Sequence, residues 1–154
     1  MIMQQSLWAI ARSPLIYGGR VKDITTANPH IAILTNPRVL AVSDTSSHNR
    51  QVRRSNSSAV WVAETATSGS VYVGLFSLAG SGGGGGGVAA AAPVSATFAE
   101  LGLPAGVTSA NVTDLWSGDT LAQAQGGVSA ALSPCSSKSA GPCAALLRLS
   151  WSGE

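Results

Sequence analysis

The chain has 154 residues, of which 45% are hydrophobic and only 10% charged, with a formal net charge of +2. That length holds one domain, or one small domain plus a fragment of another. Heavy use of Gly and Ala leaves little side-chain volume for a core, and no apolar run has the roughly 18 clean residues a membrane helix requires. Charge is uneven: residues 1–54 carry seven Lys/Arg against two acids, and residues 55–154 carry two against five. The basic side chains are scattered except for Arg50, Arg53 and Arg54, and no aromatics are interleaved with them. This argues for a solvated segment over a nucleic-acid surface.

Gln4 to Ala11 predicts a short helix, with Leu7, Ile10 and Ala11 at i, i+3, i+4 forming one apolar stripe. Arg12 cuts the apolar run and no basic residue precedes Leu7, which is not the pattern of an export leader, and localisation stays unassigned. Pro14 should stop the helix, because the residue before a proline is pushed toward extended geometry. Leu15-Ile16-Tyr17, closed by Gly18-Gly19, then fits a parallel strand buried on both faces, although the rest of the chain offers it no parallel neighbours. Asn36-Pro37 marks a helix start, with Asn as N-cap and Pro at the first position, and Ile31, Leu34, Val39 and Leu40 supply apolar faces. Residues 1–44 therefore read as a helix–strand–helix–helix run from an α/β architecture.

Residues 45–58, rich in Ser, Asn and Arg and without periodicity, predict a linker. From Ala59 the period changes to two. Strands are expected at Ala59–Glu64, Val71–Phe76, Val94–Phe98, Ala110–Leu115, Val128–Leu132 and Ala145–Leu149, with turns at Pro104-Ala105-Gly106 and Trp116-Ser117-Gly118-Asp119. Short strands at this spacing point to an antiparallel sandwich over residues 59–154. The tract SGGGGGGVAAAAP at 81–93 offers almost nothing to pack and is expected to be a disordered insertion. It lacks the Lys-Ser/Thr and following helix of a phosphate loop.

Cys135 and Cys143 can form a local disulfide in an oxidising compartment or remain two free thiols. Two cysteines cannot complete a four-ligand zinc site, and His30 and His48 lie far from them, so no metal and no cofactor is expected. The sequons at Asn56 and Asn111 permit glycosylation on export. Trp61 and Trp116 can be read as sugar platforms or, more simply, as core residues.

Taken in order, LWAIARSPLIYGG, ILTNPRVLAVS, VWVAE with YVGLFSL, DLWSGDT and ALLRLS resemble the carboxy-terminal part of melibiase-type α-galactosidases. The likeness runs over nearly the whole chain apart from the Gly/Ala tract and the cysteine loop. It implies a mainly β fold: a Greek-key-like antiparallel sandwich preceded by a fragment of a (β/α)8 barrel. Leu7–Ala11 would end the seventh barrel helix, Leu15–Gly18 would be the eighth strand, and Ile31–Val42 the eighth helical layer. The chain would begin just past the second catalytic aspartate.

The family hydrolyses terminal α-galactosides with retention, which needs a nucleophile and an acid/base carboxyl about 5–5.5 Å apart. Neither family aspartate motif occurs here, so no residue is assigned as catalytic and this chain alone is expected to be inactive. By resemblance, Tyr17, Gly18, Gly19 and Arg20 would lie beside the sugar pocket of a complete enzyme. Arg20 stands where the family commonly has aspartate, and Ser43-Asp44 where it usually shows Asn-Gln, which puts the pocket in doubt. The partners implied are an α-galactoside-containing saccharide and the missing barrel portion, with neither nucleic acid nor membrane. Family members are usually secreted, vacuolar or lysosomal. The competing reading is a free-standing carbohydrate-binding sandwich using Trp61 or Trp116.

Overall fold

The computed structural model describes residues 1–16, 18, 25, 29–79, 91–135 and 141–152. Three helices come first: α1 (Ile2–Ile10), α2 (Pro29–Leu34) and α3 (Pro37–Thr45). Eight strands and one short helix follow: β1 (Ser47–Arg54), β2 (Ser58–Glu64), β3 (Ser70–Ser77), β4 (Ala92–Thr97), α4 (Phe98–Leu101), β5 (Ser109–Asp114), β6 (Thr120–Gln125), β7 (Gly127–Leu132) and β8 (Ala144–Ser150). One antiparallel sheet has the order β1-β2-β3-β8-β5-β6, and β4 and β7 pair as a second sheet. The fold is mainly β, as the alternating pattern after Ala59 predicts.

Every residue of β3 is buried, and its side chains serve two layers. Val71, Val73 and Leu75 point into an inner cluster with Val60, Val62, Val112, Leu147 and Leu149, closed by Val94, Ala96, Phe98, Leu101, Val128 and Leu132 from the second sheet and α4. Tyr72 and Phe76 point the other way. They join Ala59, Ala63, Leu115 and Leu146 in an outer cluster that Ala9 and Ile10 of α1 and Val39 and Val42 of α3 seal.

Several expectations need correction. Residues 47–54 are not linker but strand β1, paired antiparallel with β2. The strand escapes detection because it is an edge: its side chains are exposed or half-exposed, two register shifts break its alternation, and only Val52 reaches the core. The sandwich thus begins at Ser47. β6 was hidden for the same reason, being the opposite edge with almost every residue exposed. Ala92 and Pro93, assigned to the insertion, belong to β4 and pair with Leu132 and Ala131, while residues 80–90 of that tract lie outside the described residues.

Phe98 is not the end of a strand but the start of α4. Thr97 accepts from the Glu100 backbone N–H at 3.1 Å, and the Glu100 carboxylate accepts from the Thr97 N–H at 2.8 Å, a reciprocal cap that outweighs the strand propensity of Phe98. Leu15 and Ile16 form no strand, and Ile16 is 79% exposed. A parallel strand needs neighbours to satisfy its backbone, and here it has none. Tyr17, the third residue of that expected strand, lies outside the described residues.

The start of α3 is as predicted, whereas α1 is shifted toward the amino terminus. The Asn36 side chain accepts from the Arg38 and Val39 N–H groups, with Pro37 at the first position, as read from the sequence. α1 spans Ile2–Ile10 rather than Gln4–Ala11, and its deepest side chains are Ser6, Ala9 and Ile10, with Leu7 only half-buried. It stops four residues before Pro14. Arg12 adopts a left-handed φ of 52°, and the Arg12 and Ser13 N–H groups bond back to the Ala9 and Trp8 carbonyls. That closure usually uses glycine. Here the Arg12 guanidinium reaches the Ser46 carbonyl at 2.9 Å, a contact glycine cannot make.

Candidate functional site

The most organised polar constellation among the described residues lies where the helices meet the outer face of the large sheet. Its apolar floor is set by β3. Gly74 faces α1, and a Cβ there would fall 2.7 Å from the Phe76 ring and 3.3 Å from Ile10 Cδ1. Only glycine lets the Ile10 side chain settle this close to the strand. Burial of Ile10, Val39 and Val42 contributes about 1.5–3 kcal/mol each.

Around that floor, polar side chains satisfy backbone groups that helix ends and turns leave open. At the end of α1, Asn49 Nδ2 donates to the Ile10 carbonyl at 2.7 Å and to Ser46 Oγ at 2.7 Å. At the other side stands the β5–β6 turn. The Asp114 carboxylate accepts from the Trp116 and Ser117 N–H groups at 2.7 and 3.2 Å, and Gly118 takes a φ of 85°. The turn's outward carbonyls are then taken up by α3: Arg38 Nε donates to Leu115 O at 3.1 Å, Arg38 Nη2 to Trp116 O at 3.2 Å, and Asn36 Nδ2 to Trp116 O at 3.1 Å. The Trp116 indole N–H donates to Ser6 Oγ of α1 at 2.9 Å. One turn of the sandwich is thereby bound to both helices.

Trp61 and Trp116 are half-buried and pack against the outer cluster. They differ in one respect. The Trp61 indole nitrogen is buried with no hydrogen-bond partner among the described residues, whereas that of Trp116 is satisfied.

The acidic side chains are dispersed, and three of those described are engaged in hydrogen bonds or ion pairs. Glu64 meets His48 Nδ1 at 2.9 Å on the exposed β1–β2 surface. Asp114 holds its turn, and Asp44 lies exposed on α3. Glu100 caps α4 and pairs with Arg53 Nη1 at 2.8 Å. Its pKa lies below the usual carboxylate value, chiefly because of the Thr97 backbone N–H, with the Arg53 charge adding to the effect. Asp23 and Glu154 lie outside the described residues. Among the described residues no three His, Cys, Asp or Glu side chains gather as a metal site would require.

Of the expected pocket-adjacent residues, Tyr17, Gly19 and Arg20 lie outside the described residues, and Gly18 has open space around it. A disulfide joins Cys135 and Cys143, whose Cα atoms are 5.0 Å apart. Asn56 is exposed in the β1–β2 hairpin turn and Asn111 is exposed on β5. No helix among the described residues is long and apolar enough to cross a membrane.

Sequence reasoning missed Ser6, Arg12, Arg38 and Asn49 as parts of the joint. Only Asn36 and the Asp114–Asp119 turn left a local signal. The others act on carbonyls far away in the chain, as Arg38 does on Leu115 and Asn49 on Ile10.

Comparison with known proteins bears on the same architecture. No curated protein matches the chain. The GH27 β-L-arabinopyranosidase of Geobacillus stearothermophilus superposes with a TM-score of 0.77 at 27% identity, covering 97% of this chain and 29% of its own. Alpha-galactosidase I of Mortierella vinacea superposes with a TM-score of 0.73 at 22% identity, covering 96% of this chain and 34% of its own. The chain thus spans about a third of the length of these solved structures. The family described as the alpha galactosidase C-terminal beta sandwich domain matches residues 55–139, more than half of the chain. This chain belongs to that family, the C-terminal sandwich domain of melibiase-type GH27 glycoside hydrolases.

Proposed function

We propose that this chain serves as the bracing C-terminal part of a GH27-type glycoside hydrolase and has no glycosidase activity by itself. The observation that carries the reading is the joint: α1 and α3 share one apolar cluster with the sheet, the side chains of Asn36, Arg38 and Asn49 donate to carbonyls across it, and Ser6 accepts from the Trp116 indole. In this reading the helices are the last layer of a catalytic barrel, and the sandwich holds that layer in place. The remainder of the barrel is the partner. The substrate of the whole enzyme is a terminal α-galactoside or β-L-arabinopyranoside, the classes named for the two relatives above.

The engagement of three carboxylates supports the inactive reading. Retaining hydrolysis needs two carboxyl groups about 5–5.5 Å apart flanking the bond. Here Asp114 and Glu100 are engaged in backbone capping and Glu64 in a surface pair, which leaves none of them poised as nucleophile or acid. Purified chain should not cleave a chromogenic α-galactoside or β-L-arabinopyranoside above the blank rate. Turnover abolished by replacing one of its own carboxylates would overturn the reading.

A further inference from the structure

We propose a second ligand site on this chain, a neutral-saccharide groove at the end of the sandwich where β8 runs out, separate from any barrel pocket. The groove has a volume of about 470 Å³, within the range of small-molecule sites. Among the described residues, none of those lining it carries an ionisable side chain. Its walls offer the half-buried Trp151, the amides Asn111 and Gln123, and the hydroxyls of Thr108, Ser109 and Ser150.

The arrangement is built rather than incidental to a loose end. Asn111 of β5 sits directly opposite Ser150 of β8 in the ladder. The Trp151 N–H donates to the Gly69 carbonyl at 2.9 Å. A Cβ on Gly69, whose φ is +73°, would fall 2.9 Å from the Trp151 carbonyl, so a glycine is what lets the two backbones lie this close. One part of the Trp151 side chain packs against the inner cluster, which holds the ring in place while the rest lines the groove. The Asn111 side chain makes no hydrogen bond among the described residues, and Gln123 spends only its carbonyl, on Gln125 at 3.1 Å.

An aromatic face, amides with both donors and acceptors unspent, and several hydroxyls match a ligand with apolar C–H faces and many hydroxyls. The lack of fixed charge in the walls disfavours phosphates, carboxylates and amines, whose burial there would go uncompensated. A sugar without ionisable groups satisfies all of these conditions. Asn111 is also a sequon, and a glycan on it would cover the groove, so the two uses exclude each other.

The test is titration of the isotope-labelled full chain, made in bacteria so that Asn111 is bare, with melibiose and, separately, with galacturonate. Saturable amide shifts with melibiose at Thr108–Asn111, Gln123 and Ser150–Ser152 are expected, with galacturonate weaker. The double variant Asn111→Ala/Gln123→Ala alters exposed side chains only, so its melting temperature should hold while melibiose affinity falls about tenfold or more, as expected for the loss of one or two hydrogen bonds. Trp151→Ala should abolish the shifts. Should that variant fail to fold, the double variant decides. The proposal is overturned if melibiose causes no saturable shift at these positions, if the double variant binds as tightly as the parent, or if galacturonate binds more tightly than melibiose.

Discussion

The two faces of β3 are built from one short stretch of sequence, yet they are held by different means. On the inner face Val71, Val73 and Leu75 meet a second sheet in an almost wholly aliphatic layer, and nothing polar is needed. On the outer face Tyr72, Gly74 and Phe76 meet helices, and the apolar contact is ringed by hydrogen bonds from the Asn49, Asn36 and Arg38 side chains to backbone carbonyls, with the Trp116 indole donating to Ser6 Oγ and Asn49 to Ser46 Oγ. Two sheets satisfy their backbones within themselves. Helix ends and tight turns do not, so wherever they are packed together their open carbonyls must find donors. The outer joint accordingly depends on a few directional bonds, and the inner one on packed volume.

The largest expected effect comes from cutting into each layer in turn. Leu75→Ala should lower global stability by about 2–5 kcal/mol, seen as a drop in the denaturant midpoint of the whole chain. Ile10→Ala, at an equally buried position, should chiefly release the helices, with hydrogen exchange rising in α1 and α3 while β3 and β8 stay protected. If exchange rises equally everywhere in both variants, the two layers form one cooperative unit and the contrast drawn above is lost.

A smaller effect separates the two tryptophans of the outer face. Trp116→Phe removes the donor to Ser6 and should cost about 0.5–1.5 kcal/mol beyond the change in packing. Trp61→Phe removes a buried N–H that has no partner among the described residues, and that N–H already carries its desolvation cost, so this exchange should cost less or even stabilise. Equal losses in equilibrium unfolding would refute the distinction.

The smallest effect belongs to the inner layer's rim, where α4 and the edge strand β1 are linked. Arg53 donates to the Glu100 carboxylate and to the Ser95 carbonyl, and Arg50 Nη2 donates to the Leu101 carbonyl at 3.2 Å. Because Glu100 has a folded-state pKa below its unfolded value, its contribution is present above the unfolded pKa and is lost as pH falls through the folded one. Thermal melts between neutral pH and pH about 3 should therefore show a slightly steeper acid loss for the parent than for Glu100→Gln. The effect should be modest because the pair is solvent-accessible. Identical pH profiles would mean that the rim is held by the arginine–carbonyl bonds alone.

Much of the strand order's raw material was written locally. The alternation in Val60–Glu64 and the apolar run Val71–Phe76 identified strands because their own side chains supply the faces that the sheet buries, both faces in the case of β3, and Asn36-Pro37 identified a helix start because its cap closes within four residues. The turn at Trp116-Ser117-Gly118-Asp119 was legible for the same reason, its hydrogen bonds being made between near neighbours, although Asp114, which accepts two of them, was read as strand. What stayed hidden had its cause elsewhere in the chain. The edge strands β1 and β6 carry no buried face to betray a period, and they are strands only because β2 and β5 offer them hydrogen-bonding edges. Arg12 holds a left-handed conformation because its guanidinium finds the Ser46 carbonyl, and Ser6 lies under Trp116 across 110 residues of sequence. Short-range hydrogen bonds and side-chain periodicity are properties of a segment and can be read from it. Edge pairing, the closure of one helix end by a distant strand, and the meeting of Asn111, Ser150 and Trp151 at a groove exist only once separate segments are brought together, and tertiary structure alone decides them.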